Sequence, residues 1–302
     1  MTALTPTAFR VVDRLATVLG VEHRFSSGSG DAASDVNGWL GNVLSDQNNS
    51  AAMVAHRAQL QASLGSNVPL NEADIFAYYQ TLLSASPATI WGANLLEWCR
   101  SDLGSSPTAF PDQSGNALGY TGACTQTASD ATLNNLPTIS TDGVSQTMTS
   151  AINLPRPTTR PTTELVVAKL GAFSTAGYLL DSGGLNFMAM GPFSAQQARF
   201  RNGAAFQFIP AAATDFTFPG NWCLWSGVWS IKPTDKRSAG TFQRVGASVD
   251  DTAGTSGRVM GYTGQQVQWF EIVHLGIAAT DRDLWIYKGY LDALTSGAIL
   301  HT

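Results

Sequence analysis

Charge is scarce in this chain. Asp, Glu, Lys and Arg supply only 13% of its 302 residues, and their balance is slightly acidic, with a net charge of −5. No basic stripe appears in it, so a phosphate backbone finds no electrostatic footprint and nucleic acid is excluded as a partner. Cysteine is scarce too. Cys99, Cys124 and Cys223 lie far apart, with neither CxxC spacing nor a histidine near enough to complete a zinc site. Three such cysteines predict free, buried thiols. No run approaches the roughly 20 apolar residues of a membrane-crossing helix. The opening residues, MTALTPTAFRVVDRLATVL, lack the basic and apolar regions of a secretory signal. The expectation is a protein made and folded in a cytoplasm, soluble or part of a soluble assembly, without a membrane partner.

What the chain does have is apolar residues at 44%, 29 glycines, and abundant Ser and Thr, the profile of a turn-rich globular β protein. Its first 89 residues read differently from the rest. Phe9, Val12, Leu15, Ala16 and Leu19 recur at three- and four-residue steps and predict a helix over 7–19, with Pro6 near its start and Gly20 at its end. A polar connection, SSGSGDAASD, follows over 26–35, and helical spacing returns over 51–64 and 72–83. Residues 1–89 are therefore expected to be a small helical arm or docking region, too small to bury much surface alone, with a helical extension packed on its own chain as the competing reading. From about residue 90, short alternating segments separated by Gly, Pro, Asn and Asp predict strands at 165–170, 177–180, 186–190, 205–209, 221–231 and 268–275. Such spacing belongs to an antiparallel sandwich occupying 90–302. The run PRPTTRP at 155–161 is barred from a central strand by its three prolines. One helix closes the chain: Thr280 is at an N-cap position, an acid follows at Asp283, and Leu284, Trp285, Tyr287, Leu291 and Leu294 precede Gly297.

Four motifs carry a resemblance. In order they are LLEWCRSD at 95–102, FPDQSGN at 110–116, LPTISTDGVSQTM at 136–148, and FEIVHLGIAATDRDLWIYKGYLDAL at 270–294. Together they resemble the concanavalin A-like, laminin-G-type jelly rolls common in phage and bacterial proteins. The resemblance implies a mainly β, concanavalin A-like antiparallel sandwich with a small helical N-terminal region and a short C-terminal helix. It also implies a bacteriophage virion structural protein, a capsid decoration, head fibre or tail fibre. Such a protein would partner other virion proteins, oligomerise with itself, and face a host-surface glycan. Read for its own chemistry, FPDQSGN is a turn: Asp112 and Ser114 can bond the local backbone, Gly115 can take positive φ, and Phe110 can plug the sandwich.

Catalytic groups are not apparent. The carboxylate-rich E-x-D-x-x-E run of jelly-roll glucanases is missing, Glu271 is the lone acid of its strand, and Asp250 and Asp251 sit in a Gly- and Thr-rich segment. His23, His56, His274 and His301 are scattered, and His274 on the last strand has no sequence partner. Asp181, Asp250 and Asp251 are oxygen donors for a rim cation with nothing in the sequence to make them converge. The expectation is a non-enzyme with no catalytic residues, metal or cofactor. Aromatic side chains are the remaining candidates for sugar contact. In the segment around Trp222, Trp225 and Trp229, period two places Trp225 and Trp229 on one face and Trp222 on the other. Trp225 and Trp229 are the candidate carbohydrate-binding residues, with burial in the core as the competing reading. The alternative function is a lectin-like host-attachment module, and behind it a divergent glycan hydrolase or lyase.

Overall fold

A computed structural model describes residues 6–25, 33–46, 51–52, 54–55, 79–82, 84–150, 161–173, 179–181, 189–192, 198–202, 205–209, 219–229, 234–238, 241–245, 258–261 and 264–299. The chain divides into two compact units. One is Met1–Ile90 with Asp281–Gly297, and the other is Trp91–Thr280 with Ala298–Thr302. The closing helix thus groups with the N-terminal helices.

In the helical unit, α1 (Pro6–Leu19) follows its apolar period closely. It buries Ala8, Val11, Val12, Leu15 and Ala16, and it stops at Gly20, whose φ of +67° lets the Val21 N–H turn back to the Ala16 carbonyl at 3.0 Å. Helix α2 (Ala33–Ser45) begins inside the polar connection expected over 26–35 and continues through residues for which no helix was expected. Its Val36 packs with Ala8, Val12 and Phe25 in one cluster, with Trp39 against it, and Leu40 and Val43 are buried too. A short helical segment, α3 (Pro87–Trp91), leads out of this region. The last helix, α4 (Asp281–Thr295), buries Leu284, Tyr287, Tyr290, Leu291 and Leu294. Arg10 of α1 donates to the Leu294 carbonyl at 2.7 Å and satisfies one of the orphan acceptors at the end of α4. The helices expected over 51–64 and 72–83 lie mostly outside the described residues.

The second unit is an antiparallel β-sandwich, the fold class expected. Its strands are β1 (Leu95–Arg100), β2 (Ala109–Phe110), β3 (Tyr120–Gly122), β4 (Thr125–Asp130), β5 (Leu136–Thr141), β6 (Met148–Ser150), β7 (Thr162–Phe173), β8 (Leu180–Asp181), β9 (Ala189–Pro192), β10 (Ala198–Asn202), β11 (Ala205–Ile209), β12 (Trp222–Trp229), β13 (Thr234–Ser238), β14 (Thr241–Val245), β15 (Arg258–Met260) and β16 (Gln265–Leu275). One sheet runs β14-β13-β12-β7-β16-β5-β4, with β1 added beside β16, and the other runs β11-β10-β9-β8-β15-β6-β3-β2. Neighbouring strands pair antiparallel throughout the described ladders. Between the sheets lies a core of Ile139, Val166, Ala168, Trp225, Trp269 and Ile272 from the first and Phe110, Tyr120, Met148, Leu180 and Met260 from the second. All three cysteines are free and buried, as expected. The strands expected over 177–180 and 186–190 lie mostly outside the described residues; Leu180 falls in β8, and Ala189 and Met190 fall in β9. Most of PRPTTRP lies outside the described residues.

FPDQSGN ties this fold together locally. Phe110 is wholly buried in the core. The Asp112 carboxylate accepts from the Trp98 N–H at 2.9 Å, the Ser114 N–H at 2.8 Å, the Ser114 hydroxyl at 2.8 Å and the Leu118 N–H at 3.2 Å. Asn116 donates to the carbonyls of Leu95 and Leu96. The turn therefore anchors β1, and Gly115 takes φ +90° as its position requires. A second Asp, Asp142, caps the loop after β5 by accepting from the N–H groups of Val144, Ser145 and Gln146, each at 2.9 Å. Gly143 beside it has φ +70°, and a Cβ there would fall 2.5 Å from the Gln265 backbone.

Candidate ligand-binding face

Antiparallel register sets five side chains in one row across the first sheet: Trp222, Lys169, Gln268, Ser140 and Thr125. Their chain neighbours Cys223, Ala168, Trp269, Ile139 and Cys124 all belong to the core. By the two-residue period of a strand, the row therefore lies on the sheet's outer face. Four strand spacings of ~4.8 Å make it about 19 Å long.

The two ends of the row differ. At one end, Lys169 Nζ donates to Asp130 Oδ2 at 3.2 Å and to Thr132 Oγ1 at 2.9 Å, and sits 5.1 Å from the centroid of the Trp222 ring. The Trp222 indole N–H donates to the same Thr132 hydroxyl at 3.1 Å, and that hydroxyl donates to Asp130 Oδ1 at 2.6 Å. Partial burial opposes ionisation of Asp130, but the Thr132 O–H and N–H and the Lys169 ammonium outweigh it and hold its carboxyl below the ordinary range. This end is a fixed, hydrogen-bonded brace. At the other end, Gln268 and Ser140 are half-buried and Thr125 is exposed. Gln146 Nε2 donates to Thr125 Oγ1 at 3.0 Å. Thr127 of the edge strand β4, in register with Thr138 and half-buried, lies on the same face two residues on from Thr125. Amides and hydroxyls offer donors and acceptors together, with no charge to desolvate.

A second row lies inside the sandwich. Glu97 of β1 is in register with His274 of β16, and His274 with Glu164 of β7. All three are 0% exposed. From the facing sheet, Ser150 of β6 donates its hydroxyl to Glu97 Oε1 at 2.8 Å, and Arg258 of β15 pairs with Glu164. His274 Nε2 stands 3.8 Å from Glu97 Oε2. Burial pushes the Glu97 carboxyl up to about 7 against the help of Ser150, and burial together with Arg258 pushes His274 well below its ordinary value.

The aromatic candidates separate. Trp225 is 0% exposed in the core between the sheets, so it has no surface to offer a sugar. Trp229 pairs with Thr162, and its side chain lies outside the described residues. Trp222 is on the opposite face, 2% exposed and engaged in the Lys169 brace. Glu271 is wholly buried, in register with Arg100 and Val167. Asp250, Asp251 and the Asp181 side chain lie outside the described residues, and no group of three metal-ligating side chains occurs among those described. The interior acids escaped the sequence reading. The signal was present in LLEWC and TTELVV, where a lone Glu falls on the core side of an apolar alternation.

No family model matches the chain, and no curated protein matches it in sequence. Its fold is shared with solved bacterial toxin structures. The chain is similar to the binding domain of Paraclostridial Mosquitocidal Protein 1, at a TM-score of 0.54 and 10% identity, over 64% of this chain and 51% of that one. It is similar to a structure of botulinum neurotoxin type C, whose cell entry depends upon interaction with two ganglioside molecules, at 0.53 and 10%, over 68% and 53%. It is also similar to the binding domain of botulinum neurotoxin DC in complex with SialylT, at 0.50 and 11%, over 66% and 52%. The likeness is one of fold, and the chain spans about half the length of those structures.

Proposed function

We propose that this chain is a non-catalytic carbohydrate-binding module whose ligand lies across the outer row, over Gln268, Ser140 and Thr125. The observation that carries this reading is the register of that row. Uncharged amide and hydroxyl groups stand side by side on successive strands, next to a rigid Lys169–Asp130–Thr132–Trp222 brace. Sugar hydroxyls, which donate and accept at once, match such groups without the cost of burying a charge. The fold is one on which binding domains are built, and two structures that share it are described with gangliosides or SialylT.

Glycan-array binding of the full chain tests the reading. Gln268→Ala is expected to weaken binding about 2- to 10-fold, the worth of one net hydrogen bond. Ser140→Arg, which fills the row, is expected to abolish it. Binding unchanged in Ser140→Arg would remove this face, and no binding to any glycan would remove the function.

A second reading, a phage virion component that displays this module, rests on the sequence resemblance and on the separate helical unit as its docking part. Stoichiometric co-sedimentation of the chain with purified particles is its test.

A further inference from the structure

The interior row carries an inference independent of ligand binding. Two carboxylates, one guanidinium and one imidazole meet where solvent does not reach, since Glu97, Glu164 and His274 are 0% exposed and Arg258 is 1% exposed. Arg258 pairs directly with Glu164 and balances it. That leaves Glu97 and His274, register partners 3.8 Å apart. With both in their ordinary neutral-pH states, they would add one uncompensated negative charge to the core, a state strongly opposed by desolvation.

The groups around Glu97 say where a proton would sit. The facing strands present the Ser150 hydroxyl, which donates to Glu97, and the buried Tyr120 phenol. On the same strand lies the buried Cys99 thiol, and the nearby Asp112 carboxylate opposes ionisation of Glu97. Arg258 favours a charged Glu97, but less than burial opposes one, and it opposes a charge on His274. The Glu97 carboxyl is therefore the better proton holder of the two.

We propose that Glu97 and His274 form a one-proton lock in the sandwich interior: the folded pair keeps a single proton through weak acid, and losing it as pH rises through neutrality leaves a buried charge that loosens the sandwich.

The linkage has a definite sign. An unfolded pair with ordinary values of 4.5 and 6.5 holds one proton between those pH values, as the locked pair does, so the pair contributes no pH slope there. Above 6.5 the unfolded pair is empty, and stability falls as pH rises until the folded pair also lets go, near 7. Below 4.5 the unfolded pair takes a second proton and stability falls again.

Glu97→Gln copies the neutral acid and removes its proton. Urea unfolding of the full-length wild type and variant, compared as a difference at each pH, cancels other titrating groups, including the buried Asp292, whose carboxyl is raised to about 7 by burial. The lock predicts that the variant gains stability over the wild type with rising pH between 4.5 and 6.5. The gain is about tenfold in unfolding constant per pH unit, roughly a hundredfold in all. A difference that stays constant across this window overturns the lock. Should the variant fail to fold, the infrared spectrum of wild-type protein carrying 13C only in its glutamate carboxyls decides. A protonated glutamate at pH 6 that ionises toward pH 8 is expected, and glutamates ionised throughout would overturn it.

Discussion

The Asp112 carboxylate reaches across the turn to the Trp98 backbone N–H at 2.9 Å, fastening the FPDQSGN loop to β1. The same carboxylate holds Ser114 and Leu118, so one side chain fixes both the loop's shape and its attachment. Asp112→Ala leaves these donors without their acceptor. The expected loss is about 2–4 kcal/mol, given 1–3 kcal/mol for each buried group left unsatisfied, read as a lower urea midpoint at unchanged slope. A midpoint within error of wild type would show the turn to be dispensable.

Trp225→Ala tests the assignment of that ring to the core. Removing a wholly buried Trp from between the sheets is expected to cost about 3–5 kcal/mol. Stability and any glycan binding should fall together. A variant of native stability that lost only binding would return Trp225 to the ligand site.

Asp142 gives a pH dependence of ordinary sign. The N–H groups of Gln146, Val144 and Ser145, with the Ser145 hydroxyl, hold its exposed carboxyl well below the ordinary 3.8. A depressed carboxylate contributes stability above its unfolded value and loses it as pH falls. The melting temperature of Asp142→Asn should therefore lie below that of wild type at neutral pH, and the gap should close as pH drops below 3.8. A gap that persists in strong acid would mean that loop geometry, rather than charge, sets the difference.

Local chemistry was legible in the sequence. Helix α1 follows its apolar period, the Asp-Gln-Ser-Gly turn forms as its side chains dictate, and the strand expected over 205–209 coincides with β11, whereas β7 runs past its expected end through Gly171 to Phe173. Helix α2 was not legible. Gly38, Gly41 and several polar residues dilute its pattern, and Val36 gains its apolar meaning only beside Ala8, Val12 and Phe25.

The sequence alone determined that successive residues of a strand face opposite ways, and so that Trp222 and Trp225 part company. Which of the two is core was decided by the tertiary structure, because inside is defined by the second sheet, and that sheet is built from strands distant in sequence. The same holds for both rows. Glu97, Glu164 and His274 are separated by scores of residues and become neighbours only because β1 and β7 both flank β16. Thr125, Ser140, Gln268 and Lys169 form one outer surface for the same reason. Pattern along the chain carries the period of a strand, while the order of strands in a sheet is set by long-range burial, which no local stretch contains.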